Sequence, residues 1–246
     1  MEVHDRGVLV AGGAGSLGSV VASALHDAGA RVAVVDHRDP QAGSLPDGVA
    51  AFRADLADEA EAERALRDVS SHLGKISVLV NCAGAIHSEP LVTLTDPSRR
   101  RHRIDSWSAT IRSNLDVAFV LGSLVAEHMA TQRIKGVIVN FSSISASGNP
   151  GQTAYAAAKA GVEAMTRVWA RELGPLGIRA VAIAPGFVDT PSTHAALSDT
   201  MLADLKRRTP LMRLAKPREI ADAVRFVIEN DFISGATVGI DGGLIL

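Results

Sequence analysis

Cysteine is almost missing from this sequence. Cys82 is the only one in 246 residues, so no disulfide can form within the chain, and a reducing, cytoplasmic setting is the natural expectation. Charge of one sign is missing too. The 25 Lys and Arg residues against 27 Asp and Glu give a net charge of −2 and a pI near 6.4, which leaves no basic field to hold a nucleic acid or an anionic membrane. No apolar stretch approaches the roughly 20 residues that span a bilayer, and the opening MEVHDRGVLVAGG mixes charges where a signal peptide needs an apolar run. No grouping of Cys, His and Asp has metal-ligand spacing, so no metal is expected. Repeats and low-complexity linkers are likewise absent, and residues 1–246 read as one domain.

What is present is an alternation. Short β-branched runs at Gly7 to Ala11, Arg31 to Asp36, Val78 to Asn81, Val137 to Phe141, Arg179 to Ala184 and Thr237 to Ile240 are separated by longer Ala/Leu-rich stretches. Those stretches run from Leu17 to Ala28, Glu59 to Leu73, Ser106 to Thr131, Thr153 to Leu173 and Pro217 to Glu229. Strand and helix in alternation imply a parallel sheet with crossover helices. The strands are apolar on both sides, so helices should cover both faces, giving a single doubly wound α/β (Rossmann) sheet.

The segment VLVAGGAGSLGSVVASAL places Gly12, Gly13, Gly15 and Gly18, with Ser16 and Leu17, between the first strand and the first helix. A pyrophosphate can approach bare backbone there and meet the positive end of a helix dipole. Asp36 ends the next strand, 18 residues beyond Gly18, where a carboxylate accepts hydrogen bonds from ribose hydroxyls and repels a 2′-phosphate. NAD is therefore expected over NADP, unless Arg38 swings into the ribose pocket and reverses the choice. Further along, Tyr155 and Lys159 stand four residues apart on one helical face. A tyrosine serves as a base near pH 7 only if its pKa falls by about 3, roughly 4 kcal/mol, which a neighbouring ammonium can supply.

The stretch VNFSSISASGNPGQTAYAAAKAG, together with NCAG at Asn81 to Gly84, PGFVDT at Pro185 to Thr190 and DGG at Asp241 to Gly243, resembles the short-chain dehydrogenase/reductase family over essentially the whole chain. The resemblance implies that Ser142, 13 residues before Tyr155, completes the catalytic set, with Asn114 as its fourth member anchoring a water that links Lys159 to solvent. It implies cofactor contacts from Asp55 and Leu56 at the adenine, from Asn81, Cys82, Ala83 and Gly84, and from Lys159 at the nicotinamide ribose. Pro185 and Gly186 lead to Val188 and Thr190 at the carboxamide. Two positions depart from the family's commoner glycine loop, Ala11 and Ser16, while Gly12, Gly15 and Gly18 fit a variant spacing.

The family's type II 3-hydroxyacyl-CoA dehydrogenase branch is the nearest in appearance, through the C-terminal run IENDFISGATVGIDGGLIL, the NCAG variant and an insertion near residues 95–105. A secondary alcohol such as a 3-hydroxyacyl-CoA is thus the expected substrate. The 3-oxoacyl carrier-protein reductases, which commonly prefer NADPH, share most of these motifs, so a biosynthetic ketoreductase is the alternative. A non-catalytic partner subunit is a more distant one. Arg99, Arg100, Arg101 and Arg103 in the insertion are either a solvated loop or a grip for CoA phosphates. Residues 190–210 are expected to form a substrate lid with His194 on its surface, and Cys82 to be a small buried residue. The alanines and glycine at Ala156, Ala157, Ala158, Ala160, Gly161 and Ala164 let another helix approach, which with the resemblance implies a homotetramer, or failing that a dimer.

Overall fold

The apolar runs become β1 (Gly7–Ala11), β2 (Arg31–Asp36), β4 (Ile76–Asn81), β5 (Gly136–Phe141), β6 (Ile178–Pro185) and β7 (Thr237–Ile240) in a computed structural model that describes residues 1–96, 98 and 100–246. An additional strand, β3 (Ala50–Arg53), has no counterpart among the apolar runs: it is four residues long, alternates in exposure, and lies at the sheet edge beside β2. The helices are α1 (Ser16–Asp27), α2 (Glu59–Leu73), α3 (Ile104–Ile111), α4 (Val117–Thr131), α5 (Thr153–Leu173), α6 (Pro191–Ala196), α7 (Asp199–Arg208) and α8 (Pro217–Glu229).

The seven strands are all parallel in the order β3-β2-β1-β4-β5-β6-β7. The order reverses between β1 and β4, and the crevice beyond the strands' C-terminal ends at that switch point is where ligands bind in open α/β sheets. Alternate residues of each strand feed opposite cores. Val8 and Val10 of β1 pack with Val21 and Leu25 of α1 and with Ile220 and Val224 of α8. Leu9 and Ala11 pack with Val69 and Leu73 of α2 and with Leu121 and Val125 of α4. Both faces are buried, which is why the strands carry no polar alternation.

One expectation needs correcting. Helices α3 and α4 join through a widened turn, Arg112–Asp116, into a continuous rod from Ile104 to Thr131, and an 18-residue window of it reaches a mean hydropathy of 1.2. It is thus long and apolar enough to cross a membrane, by length and composition alone. In the fold its apolar face lies along β4 and β5, with Val117, Leu121, Val125 and Met129 buried. Gly122 lets Trp169 of α5 against the rod, because a Cβ there would stand 2.4 Å from the indole.

Candidate active site

The ends of β1, β2 and β4 are tied together where the glycine loop begins. Gly12 N–H donates to Val35 O at 2.8 Å, and Cys82 N–H donates to Ala11 O at 3.0 Å. Gly12 has φ +76°, and a Cβ on it would stand 2.7 Å from Ala83 N; a Cβ on Gly18 would stand 2.2 Å from Gly12 O. These two glycines are demanded by packing within the protein itself. Gly15 is different: its Cβ would meet only Gly12 O, at 3.2 Å, so its outer side is open. Helix α1 starts at the next residue with no side-chain cap and no acid in its first turn, which leaves the amides of its first turn to an anion from outside. Ser16 is exposed and Leu17 half-buried beside them.

Asp36 is only 5% exposed and already engaged. Its carboxylate accepts from Ala14 N at 3.1 Å and Arg38 N at 3.1 Å and lies 3.1 Å from His37 Nδ1, so it fastens the glycine loop to the tip of β2. Arg38 is exposed with its Nε 3.7 Å from the same carboxylate. Asp55 accepts from Ala57 N and from Arg112 Nη2, both at 2.9 Å, and these bonds hold its carboxyl below the usual range. Leu56 is buried against the α2 core. Uncapped amides, an open glycine face and a carboxylate at the end of β2 fit a dinucleotide.

Across the crevice, Tyr155 and Lys159 project from the first two turns of α5, both buried, with Nζ 5.6 Å from the centre of the phenol ring. Lys159 Nζ donates to Phe141 O at 2.8 Å. Gly84 completes the arrangement by lacking a side chain: a Cβ on it would lie 2.5 Å from Asn114 Oδ1 and 3.2 Å from Lys159 Nζ. Asn114 sits in the widened turn of the α3–α4 rod, a feature frequent at functional sites. Its Nδ2 donates to Ala85 O at 2.9 Å and Thr110 O at 3.0 Å, while its buried Oδ1 has no partner among the described residues. Beneath lies a buried polar chain in which Asn81 Nδ2 donates to Asn140 Oδ1, and Asn140 Nδ2 to Thr166 Oγ1, each at 3.0 Å.

The serine is where the geometry departs from the expectation. Ser142 is buried and turned away from the phenol: its hydroxyl donates to Glu163 Oε1 at 2.8 Å and toward Lys159 O at 3.3 Å. The half-buried Ser143, 12 residues before Tyr155, is the serine near enough to the tyrosine hydroxyl to lower its pKa. The physical reason is strand alternation: β5 ends at Phe141, and successive side chains beyond it still point to opposite sides, so only one of the two serines faces the crevice. The doublet Ser142–Ser143 was the signal available in the sequence, and Glu163 and Arg112 gave none.

The titration of the pair also differs from the expected picture. Burial pushes the Tyr155 phenol up to about 12, opposed by the Ser143 hydrogen bond, and burial lowers Lys159 to about 8, opposed by Cys82. Desolvation is the largest cause at both groups. Burial also raises the thiol of the half-buried Cys82, which favours its protonated form.

On the β6 side, Gly186 N–H donates to Ile240 O at 2.9 Å beyond Pro185, Val188 is buried and bridged to Ala215, and Thr190 Oγ1 caps α6 by accepting from Thr193 N at 3.2 Å. Helices α6 and α7 occupy residues 191–208, and His194 is exposed there with Nε2 2.6 Å from Asp189 Oδ1. Residues 91–93 and 100–102 pair antiparallel as a small arm: Val92 pairs with Arg101, Thr93 N–H donates to Arg100 O at 2.8 Å, and His102 N–H donates to Leu91 O at 3.0 Å. Arg99 lies outside the described residues. Arg103 pairs with Asp105, whereas Arg100 and Arg101 have no ion pair among the described residues. A hollow of about 510 Å³ at the base of the arm is lined by Leu91, Arg101, Ile104, Trp107 and Thr153, the last at the start of the helix that carries Tyr155.

A dinucleotide cradle on one side of the switch point and a tyrosine–lysine pair on the other are the marks of oxidoreductases that move a hydride to or from a nicotinamide. A family model described as enoyl-(acyl carrier protein) reductase matches residues 12–245. A 3-oxoacyl-[acyl-carrier-protein] reductase FabG of Thermotoga maritima is 34% identical, covering all of both chains. A (3R)-3-hydroxyacyl-CoA dehydrogenase of Canis lupus familiaris is 34% identical over all of this chain and 98% of its own. A 3-hydroxyacyl-CoA dehydrogenase type-2 of Bos taurus is 34% identical over 96% of this chain and 94% of its own. The chain belongs to the short-chain dehydrogenase/reductase family and is an oxidoreductase.

Proposed function

We propose that the chain is an NAD-preferring dehydrogenase that interconverts a 3-hydroxyacyl-CoA and its 3-oxo form. The observation that carries the reaction is the placing of half-buried Ser143 and buried Lys159 beside the buried Tyr155 phenol. In oxidation the alcohol's O–H proton passes to the Tyr155 oxygen, which must first have given its own proton to solvent, while Ser143 faces the substrate oxygen and the carbon–hydrogen bond breaks as the carbonyl forms. A bound nicotinamide would supply the hydride acceptor. In reduction the neutral phenol, the form that burial favours, donates the proton to the carbonyl oxygen. Lys159 and Asp36 would hold the two ribose units, and the amides of Ser16, Leu17 and Gly18 the pyrophosphate.

Hydroxyacyl thioesters are favoured by the names of relatives on both sides of the equilibrium. The CoA handle is favoured by Arg101, which lines the hollow that borders α5, and by its neighbour Arg100. NAD is favoured by the engaged, buried Asp36, which a 2′-phosphate would oppose. The second reading, a carrier-protein ketoreductase using NADPH, rests on exposed Arg38 next to that carboxylate and on the Thermotoga relative. Two separate exposed apolar faces support a homotetramer. One carries Phe119 and Val168 of α4 and α5; the other carries Phe232 and Ile245 flanking the edge strand β7. The single cysteine supports a cytoplasmic setting.

The test is a set of initial rates with NADH and NADPH, each against 3-oxoacyl-CoA and 3-oxoacyl carrier-protein thioesters. We expect NADH with the CoA thioester to give the highest kcat/KM, and Asp36→Ala to cut the NADH preference by about tenfold. Higher kcat/KM with NADPH and the carrier thioester selects the second reading.

A further inference from the structure

Helix α5 grips the end of β5 at two consecutive residues. Lys159 Nζ takes the carbonyl of Phe141 at 2.8 Å, and one turn later Glu163 Oε1 takes the hydroxyl of Ser142 at 2.8 Å. Ser142 N–H is fixed from the other side by Ile183 O of β6 at 2.7 Å. Ser142 is therefore held on three sides, and its neighbour Ser143 opens the short turn Ile144–Ser147, with its own hydroxyl accepting from Ser145 N at 3.1 Å. Tyr155, Lys159 and Glu163 follow one another at intervals of four along one face of α5, so the helix that presents the phenol also fixes the serine that meets it.

We infer that Glu163, acting through the Ser142 hydroxyl, is a positioning residue that sets where Ser143 meets the Tyr155 hydroxyl. This rests on the proposed roles of Ser143 and Tyr155. Nothing else observed in the site requires a carboxylate at 163: its one ion pair, to Arg167 at 3.8 Å, is a helix-surface contact with an exposed partner. The Ser142 hydroxyl has no outlet but Glu163 and the Lys159 carbonyl, so loss of the carboxylate leaves a buried donor with one long bond and frees the turn to rotate.

Tyr155 is the only tyrosine in the chain, so a protein labelled with 13Cζ-tyrosine gives one resonance that reports its hydroxyl without activity being measured. Ser143→Ala sets the reference position for a phenol without its serine. We expect Glu163→Ala to move the resonance toward that position and to lower kcat about tenfold, with KM for NADH within about twofold. Glu163→Gln, which keeps the acceptor oxygen, should hold both near wild type. Ser142→Ala should resemble Glu163→Ala, and the double variant should be no worse than either single one. A wild-type resonance and kcat in Glu163→Ala overturn the inference, as does full additivity in the cycle. If instead Ser143→Ala keeps wild-type turnover, the catalytic reading itself fails, a result distinct from the first. Should Glu163→Ala not fold, the comparison of Ser142→Ala with Ser143→Ala decides: equal loss in the two, with the resonance shifted only in Ser143→Ala, rejects the clamp.

Discussion

At the residue scale, the catalytic assignment turns on a single step along the chain. Ser142 and Ser143 are chemically identical, and spacing to Tyr155 favours the first, but the end of β5 aims the first into the protein and the second at the phenol. Ser143→Ala is expected to reduce kcat by about a hundredfold or more, and Tyr155→Phe by about 10² to 10⁴, with NAD(H) binding kept in both, as read by steady-state kinetics and fluorescence titration. Ser142→Ala should cost only about tenfold in the same assay. Equal losses at the two serines would contradict the assignment. Asp36, by contrast, was identified by position alone; the structure adds that it also secures the loop through Ala14 N, so its replacement acts on loop order as well as on cofactor choice.

At the scale of elements, the site depends on close approach between pieces of backbone. Gly84 is the clearest case, because the widened turn carrying Asn114 and the helix carrying Lys159 meet over it. Gly84→Ala places a methyl group 2.5 Å from Asn114 Oδ1, which is closer than any real contact, so Asn114 must move. The backbone there has φ +154°, which a side chain strains, and Asn114 is buried, so the melting temperature should fall and kcat should drop at least tenfold. An unchanged kcat in a crystallised variant with Asn114 undisturbed would remove this role. The arm at residues 91–102 is legible in the sequence only as an anomaly of composition. Its pairing arises from backbone bonds between Val92–Thr93 and Arg100–Arg101, which leave no periodic trace in so short a segment. Replacing Arg100 and Arg101 with Ala should raise KM for an acyl-CoA several-fold and leave KM for NADH unchanged; an unchanged acyl-CoA value would return the arm to a solvated loop.

At the scale of the whole molecule, burying Lys159 has a consequence for stability. Its pKa is about 8 folded against 10.5 unfolded, so between those values the unfolded chain binds the extra proton and stability rises with pH. At pH 7 both states are charged there, and the fold carries the full desolvation cost. The difference in melting temperature, Lys159→Met minus wild type, should therefore shrink as pH rises from about 8 to 10. Tyr155 acts oppositely above pH 10, where the unfolded phenol ionises first, so the comparison is best read below that point. A pH-independent difference would mean that the lysine is not desolvated.

The sequence by itself determined the doubly wound sheet and where in it the glycine loop, Asp36 and the Tyr155–Lys159 pair would stand. Each follows from local rules: apolar runs that must be buried on both faces, glycine where a Cβ collides, four-residue spacing on a helix. Three things needed the tertiary structure: the edge strand β3, too short and too exposed to show a pattern; the apolar rod from Ile104 to Thr131, whose packed side emerges only from its neighbours; and the proposed choice of Ser143 over Ser142. That choice depends on which way a strand end faces, and the direction is fixed by Glu163 and Ile183, residues 20 and more positions away in the chain. Likewise the pKa values of Tyr155 and Lys159 are set by how much water the assembled crevice excludes, a property of the fold and of no residue alone.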